Sequence, residues 1–393
     1  MKRAALLFPF LVLSALFLLL LGGAGAPYVK KPLTIEADGE KVFEGEIRID
    51  ALRHHRAIKH GGYFAFYKDL RARYDEKEAL NYLSKGLGDY LAALCERKKV
   101  DPLSATLEWN KDLSSPFIYY DEREGREIPL GSLGGAVAKA LDGNGAARVF
   151  GSAVAPEVTV ADLKARTLEM GRFTTYYYSS GENRRHNLAL AASAIRGTVL
   201  SPGEIFSFNE IVGARTIERG YKEANIVLNG DFVKGVGGGV CQISTTLYNA
   251  VLLSALPVKH AAAHSAPVSY VPFSRDCTVS SAIDFTFEND TPFPVYIASK
   301  TEGSAVTFAL FGAKKEGSYA LQSEIVKRVP FSSVTEDASA VTTDSVLTSP
   351  GREGIRSRLY LLKTLHGETT KTLVRENYYP PKNAVYKKRD DTM

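Results

Sequence analysis

Between residues 28 and 60, apolar and polar side chains alternate in short pieces, Leu33-Thr34-Ile35, Lys41-Val42-Phe43 and Glu46-Ile47-Arg48-Ile49. That is the period of a half-buried strand. Asp38-Gly39 supplies a two-residue hairpin turn between the pieces. Leu80, Leu83, Leu87, Leu91 and Leu94 then recur at helical spacing through Arg97, with Gly86 and Gly88 weakening the middle. Cys95 falls inside this pattern as a core residue. Val100 to Tyr120 returns to strand character. From Gly131 the pattern predicts a short amphipathic helix, capped by Ser132 and stopped at Asp142-Gly143.

A boundary is expected near Pro156. Phe173 to Tyr178 reads as an aromatic strand, and Ser179-Ser180-Gly181 as a turn. Asn183 to Arg196 is a helix with Leu188, Ala191, Ala192 and Ile195 on one face and Gly197 as its stop. Arg184, Arg185 and His186 crowd its first turn, where cations oppose the helix dipole; an anionic neighbour would relieve this, and so would solvent. Ser201 to Asn209 is a turn feeding a short strand, and Asn209, Glu210, Gly213, Arg215 and Thr216 lie on the loop after it. Glu223 to Leu228 and Asp231 to Val236 read as a hairpin across Asn229-Gly230. Its second strand runs into Gly237, Gly238 and Gly239, and a helix begins at Cys241. After Tyr296 the pattern is strand and turn throughout, with a long strand from Ile355 to Leu365 closed by His366-Gly367-Glu368.

The extreme N-terminus decides the compartment. Lys2 and Arg3 precede an unbroken apolar run from Ala4 to Leu21, close to the ~18-residue lower limit for a spanning helix. Ala24-Gly25-Ala26 resembles a cleavage site, but Pro27 resists the peptidase, so an uncleaved anchor is expected. The positive end stays in the cytoplasm, which places the chain from about residue 27 onward outside it. A net charge of +5 on 393 residues is only mildly basic. Without aromatic-interleaved Lys/Arg motifs it excludes a nucleic-acid partner and fits an anionic envelope polymer. The basic tail Lys387-Lys388-Arg389 fits the same partner.

The densest chemistry lies at Gly235 to Tyr248. Glycines between a strand and a helix permit positive φ and close backbone approach, and a helix N-terminus offers N–H groups to an anion or oxyanion. Cys241 at that terminus gains a lowered thiol pKa. Gln242 and Ser244 can donate hydrogen bonds nearby. A nucleophilic thiol needs a base and an orienting group. His264 is the candidate base, His260 a weaker competitor, and Asp276 or Asp284 the candidate orienter. Papain-like and transglutaminase-like layouts use the same order. Against this stands a packed or disulfide-bonded Cys241. Three cysteines in an oxidising space give one bond and one leftover thiol, and Cys277 is the partner in reach. The cluster His54-His55 and His60, flanked by Arg53, Arg56 and Lys59, reads as a solvated basic turn and not as metal ligands. No nucleotide, metal or haem motif is present, the glycine loop lacks a Lys-Ser/Thr ending, and no cofactor is expected.

The segment Gly203-Glu204-Ile205-Phe206-Ser207-Phe208-Asn209, then Gly213-Ala214-Arg215-Thr216, Gly220-Tyr221, GGGVCQISTTLYNAVL from Gly237, His264 to Tyr270, and Asp284-Phe285-Thr286-Phe287-Glu288-Asn289 resemble the VanW family. The resemblance implies an extracytoplasmic cell-envelope protein. Cys277 departs from it, standing where a small residue such as alanine is expected. Residues 128 to 175 are similar to the peptidoglycan-binding module often placed before this domain. The chain from Glu324 resembles the small G-five β-domain linked to glycan or envelope binding.

The expected architecture is an α+β multidomain chain. It comprises an anchor helix over 1–26, an α+β module over 27–165, a central mixed α/β VanW-like domain over 166–300, a β connector over 301–323, and an all-β domain with its basic tail over 324–393. Two functions remain open. One is a cysteine acyl transferase or amidase on wall peptides, with Cys241, His264 and Asp284 or Asp276 in the chemistry. Gly237, Gly238, Gly239, Gln242, Ser244, Arg215 and Asn209 would then line the substrate. The other is a non-catalytic protein that binds peptidoglycan or another anionic wall polymer.

Overall fold

Asp38 and Gly39 take φ of 54° and 80°, the left-handed pair that a two-residue hairpin demands. They join strands Tyr28–Ala37 and Glu40–Asp50 in antiparallel register. The computed structural model describes residues 28–228, 231–336 and 345–388. The apolar run Ala4 to Leu21 expected as an anchor, the Asn229-Gly230 turn and Arg389 of the basic tail lie outside the described residues. Among the described residues no helix is long and apolar enough to cross a membrane. The chain forms two compact units, Met1–Thr106 with Asp121–Thr159, and Leu107–Tyr120 with Val160–Met393.

In the first unit the hairpin is extended by Ala146–Val149, which runs parallel to Tyr28–Ala37. Helices Glu76–Leu83, Leu87–Lys98 and Leu130–Asp142 bury Leu80, Leu91, Leu133 and Val137 in one core with Leu33, Ile35, Ile47 and Ile49. The strand-rich start ends earlier than its alternation predicts. The Asp50 carboxylate accepts the N–H groups of Leu52 and Arg53 and starts the helix Ala51–Lys59. His54 and His55 therefore stand on a helix and only His60, its C-cap, on the turn that follows, and His54 Nδ1 is hydrogen-bonded to Tyr63 Oη. The expected single helix from Leu80 to Arg97 is two, because Gly86 at φ 80° turns the chain between them. Ser132 lies inside the helix it was expected to cap; Pro129 holds the cap position without a side-chain bond.

The second unit is built on a four-stranded antiparallel sheet in the order Leu168–Tyr176, Ala305–Gly312, Val295–Glu302, Val199–Leu200. Residues 301–323, expected as a connector, are no spacer: Ala305–Gly312 is an inner strand of this sheet and Ser318–Val329 opens the next one. Residues 107–120, expected in the first module, pack here as a hairpin. Trp109 and Phe117 lie 5.2 Å and 5.0 Å, ring centre to ring centre, from Tyr296, an aromatic burial that outweighs sequence proximity to the first unit.

Helix Glu182–Ile195 packs Leu188, Ala191, Ala192 and Ile195 into the core of this unit. Helix Val240–Leu253 is buried almost all round, Cys241 being half-buried. Its apolar residues Ile243, Leu247 and Val251 each contribute roughly 1.5–3 kcal/mol on burial. The C-terminal sheet sets Gly354–Leu365 between Ser318–Val329 and Glu368–Tyr379. Leu359, Leu321 and Val374 join the same core as the Val240–Leu253 helix. A smaller sheet places Ala384–Lys388 between Ser333–Thr335 and Ser345–Ser349.

Candidate active site

The strand Asp231–Val236 ends at a turn whose tightness explains its composition. Gly237 and Gly239 sit at φ 83° and 110°, and a Cβ on Gly238 would lie 2.7 Å from the Asn225 carbonyl oxygen. Asn187, fully buried on the neighbouring helix, fastens this turn. Its Nδ2 donates to the carbonyls of Gly238 at 3.0 Å and Lys222 at 2.8 Å, and its Oδ1 accepts the Lys222 N–H at 2.8 Å. The turn delivers Cys241 into the first turn of the long helix, with Gly239 as N-cap.

Cys241 Sγ lies 3.4 Å from the Val279 carbonyl oxygen and 3.7 Å from Thr278 Oγ1. Its titration is coupled to that of the His264 side chain. His264 Nδ1 is 2.8 Å from Asp276 Oδ2, and the His264 backbone N–H donates to the same oxygen at 2.7 Å. With Nδ1 engaged by the carboxylate, Nε2 is the ring nitrogen left for a further partner. The imidazole and carboxylate side chains are 8% and 2% exposed, so this polar chain runs through low-dielectric surroundings that strengthen it.

The electrostatics follow. Burial pushes the Cys241 thiol up, but the hydrogen bond and charge of His264, with the Val279 backbone and Thr278, bring it net below its usual value. Burial alone would lower His264; Asp276 and Cys241 overcome it and raise the ring to about 9. Burial likewise opposes the Asp276 carboxylate, yet His264 and Tyr379 hold it below the usual range. Both shifts favour the thiolate–imidazolium form of the pair over the neutral one.

The other expected residues divide. Asp284 is not with His264: its carboxylate receives Ser207 Oγ at 2.6 Å and the Asn209 N–H at 2.8 Å, and it fastens the short helix Phe208–Val212. His260 turns its Nδ1 to the Asp284 carbonyl. Asn209 donates to the carbonyls of Ser280 and Ile283, and Arg215 donates to Asn209 Oδ1. These residues brace the loop that carries Thr278 and Val279. Gln242 donates to Thr175 Oγ1 and the Tyr176 carbonyl while its Oε1 accepts from Arg184 at 2.7 Å. Ser244 donates to the Cys277 carbonyl. Cys241, Cys277 and Cys95 are all free. Cys277 is fully buried, its N–H held by Thr245 Oγ1 at 2.9 Å, and burial pushes its thiol up.

Residues given no role by sequence stand close by. Burial takes the Arg184 guanidinium net below its usual value, and it donates to two neutral oxygens, Ser180 Oγ at 2.6 Å and Gln242 Oε1 at 2.7 Å. Burial drives the Tyr270 phenol far up; it bonds Thr245 and feels Cys241 and Asp276. Only the Arg184 helix-dipole conflict signalled this in the sequence.

A thiol at a helix N-terminus, an imidazole and a buried carboxylate, joined in series on a mixed α+β framework, define a cysteine–histidine–aspartate site. Residues 183–311 match the family described as VanW like protein, and the chain carries a VanW-like domain. It is 43% identical over 148 residues to the uncharacterized protein YoaR of Bacillus subtilis (strain 168), covering 37% of this chain and 49% of that one. To the vancomycin B-type resistance protein VanW of Enterococcus faecalis (strain ATCC 700802 / V583) it is 34% identical over 116 residues, covering 28% of this chain and 42% of that protein. The chain thus spans about half the length of these relatives or less. A solved structure titled as that of HP0197-G5 aligns with 18% of this chain and 96% of its own at 20% identity and a TM-score of 0.13.

Proposed function

We propose that this protein is a cysteine-dependent acyl transferase or amidase acting on peptides of the bacterial cell wall. The observation that carries the reading is His264 Nδ1 held 2.8 Å from the buried Asp276 Oδ2, with Cys241 at a helix N-terminus and its titration coupled to that ring. In this reading the thiolate attacks an amide carbonyl carbon and the carbon–sulfur bond forms. The oxyanion is met by the Cys241 N–H, since the Val240 and Gln242 N–H groups of the same turn donate to the Gly237 and Gly239 carbonyls. The proton on His264 Nε2 passes to the leaving amine as the carbon–nitrogen bond breaks, leaving a thioester. Water then hydrolyses it, or a second amine takes the acyl group, giving its proton back through His264. Asp276 keeps the ring oriented and compensates its charge.

The wall as the place of action is supported by the VanW-like domain and by the resistance protein among the relatives. The apolar run Ala4 to Leu21 would tether the chain to the membrane with its bulk outside the cytoplasm. The first unit and the C-terminal sheets would contact peptidoglycan or another anionic wall polymer.

The test is thiol labelling of the protein followed by mass spectrometry, with and without reductant, alongside turnover of a muropeptide mixture. Cys241 should label rapidly below neutral pH, and Cys241→Ser should abolish turnover while wall binding persists. A Cys241 that labels only after denaturation, or turnover unchanged in Cys241→Ser, would replace the enzyme by a wall-binding scaffold.

A further inference from the structure

We propose that Tyr379, on the last strand of the C-terminal sheet, is a positioning residue that fixes Asp276 and thereby supplies part of the site. The inference rests on the cysteine–histidine–aspartate reading above and adds to it a residue outside the matched span 183–311.

A carboxylate presents two oxygens, and here they have different duties. Asp276 Oδ2 takes both donors of His264. Asp276 Oδ1 takes the phenol proton of Tyr379. That proton has little choice of direction. Tyr379 Oη accepts the Ser274 N–H at 2.9 Å and Asn377 Nδ2 at 3.4 Å, so its acceptor side is occupied and its one proton faces Asp276. Arg375, on the same strand, donates to the carbonyls of Ser274 and Asp276 and stands 3.6 Å from Oδ1.

The charged and titratable groups around this point come from every neighbouring element. Tyr248 belongs to the nucleophile helix, where the Arg375 guanidinium lies 4.9 Å from its ring centre, and Arg184 to the adjacent helix. Tyr270, Arg275 and Cys277 belong to the segment between His264 and Asp284. In this dry setting Tyr379 does for Oδ1 what water does at a surface. Without it Oδ1 keeps only the Arg375 guanidinium at 3.6 Å and the carboxylate is under-solvated on that side. It then takes a proton at higher pH, His264 loses its counter-charge, and the thiolate is held less well.

The sheet has a second anchorage that leaves Asp276 alone. Ser274 Oγ lies 2.8 Å from Ser357 Oγ, a buried contact from the middle strand. Ser357→Ala therefore loosens the same contact surface without touching the carboxylate, and serves as the control.

The experiment measures the pH profile of Cys241 alkylation by iodoacetamide in the full chain, with a thermal melt of each variant. In Tyr379→Phe the acid limb should move up by about one pH unit, an approximately tenfold slower alkylation below that limb. Ser357→Ala should lower the melting temperature and leave the limb in place. Replacing Tyr379 by 3-fluorotyrosine, a more acidic phenol of the same shape, should move the limb the other way. A depressed wild-type limb that is unmoved in both Tyr379 variants, or moved as far by Ser357→Ala, overturns the inference alone. A wild-type Cys241 with the profile of an ordinary thiol overturns it together with the proposed function.

Discussion

His264 offers two donors, its backbone N–H and its ring Nδ1, to the single oxygen Asp276 Oδ2, at 2.7 and 2.8 Å. One atom thus fixes both the main chain and the plane of the imidazole. Asp276→Asn keeps the shape but removes the charge. Muropeptide turnover should fall by roughly 10²- to 10⁴-fold, with Cys241 alkylation losing its low-pH limb. Near-normal turnover would show that the carboxylate only shapes the loop.

Asp284 separates structure from chemistry. It joins Ser207 and the Asn209 N–H and makes no bond to His264. Asp284→Asn should cost about 1 kcal/mol, the typical value of a helix cap, read as a lowered denaturant midpoint. The alkylation profile of Cys241 should stay in place.

The glycine turn tolerates little. A methyl group on Gly238 would meet the Asn225 carbonyl oxygen at 2.7 Å. Gly238→Ala should therefore destabilise by roughly 1–3 kcal/mol. Asn187→Ala leaves the Gly238 and Lys222 groups without their partner, at about 1–3 kcal/mol for each group left unsatisfied. Chemical denaturation with alkylation in parallel would show stability and thiol reactivity falling together.

Stability against pH carries a distinctive signature. His264 is raised from 6.5 to about 9, so by itself it stabilises fully below 6.5 and loses that contribution as pH rises through 9. Cys241 is lowered from 9.0, so its contribution is present above that value and is lost as pH falls through its folded value. Between 6.5 and 9 the two contributions run in opposite senses, His264 taking up a proton on folding and Cys241 releasing one, so they offset each other. The urea midpoint should therefore vary less across that window than in a variant lacking Cys241. It should drop below 3.8 as Asp276, whose carboxylate is depressed, takes up a proton. Cys241→Ala removes the compensation, and its midpoint should decline as pH rises above 6.5, with only Asp276 left to raise His264.

Much of this was legible in the residues because it is local. The Asp38-Gly39 hairpin, the helix stopped at Gly197 and the turn at Gly237 to Gly239 each have a residue whose backbone preference dictates the geometry. What was not legible depends on distant partners. Alternation through residue 50 could not reveal that Asp50 would cap a helix. The choice between Asp276 and Asp284 was open because both follow His264 within a short span; packing decides it, through strands that arrive a hundred residues later with Arg375 and Tyr379. Cys277 looked like a disulfide partner by count, yet Thr245 and Ser244 on the Val240–Leu253 helix hold its backbone. Those helix hydroxyls are satisfied by the very loop they position.

The aromatic hairpin of residues 107–120 has a practical bearing on how the molecule can be divided. Leu107–Tyr120 belongs to the second compact unit although Asp121–Thr159 belongs to the first, so the two units are interlaced along the chain. A fragment cut at Val160 would strip Trp109 and Phe117 from Tyr296 and Phe311, laying bare a patch of aromatic surface on the sheet beneath the nucleophile helix. Excision at Leu107 keeps that patch covered and carries the intervening segment as cargo.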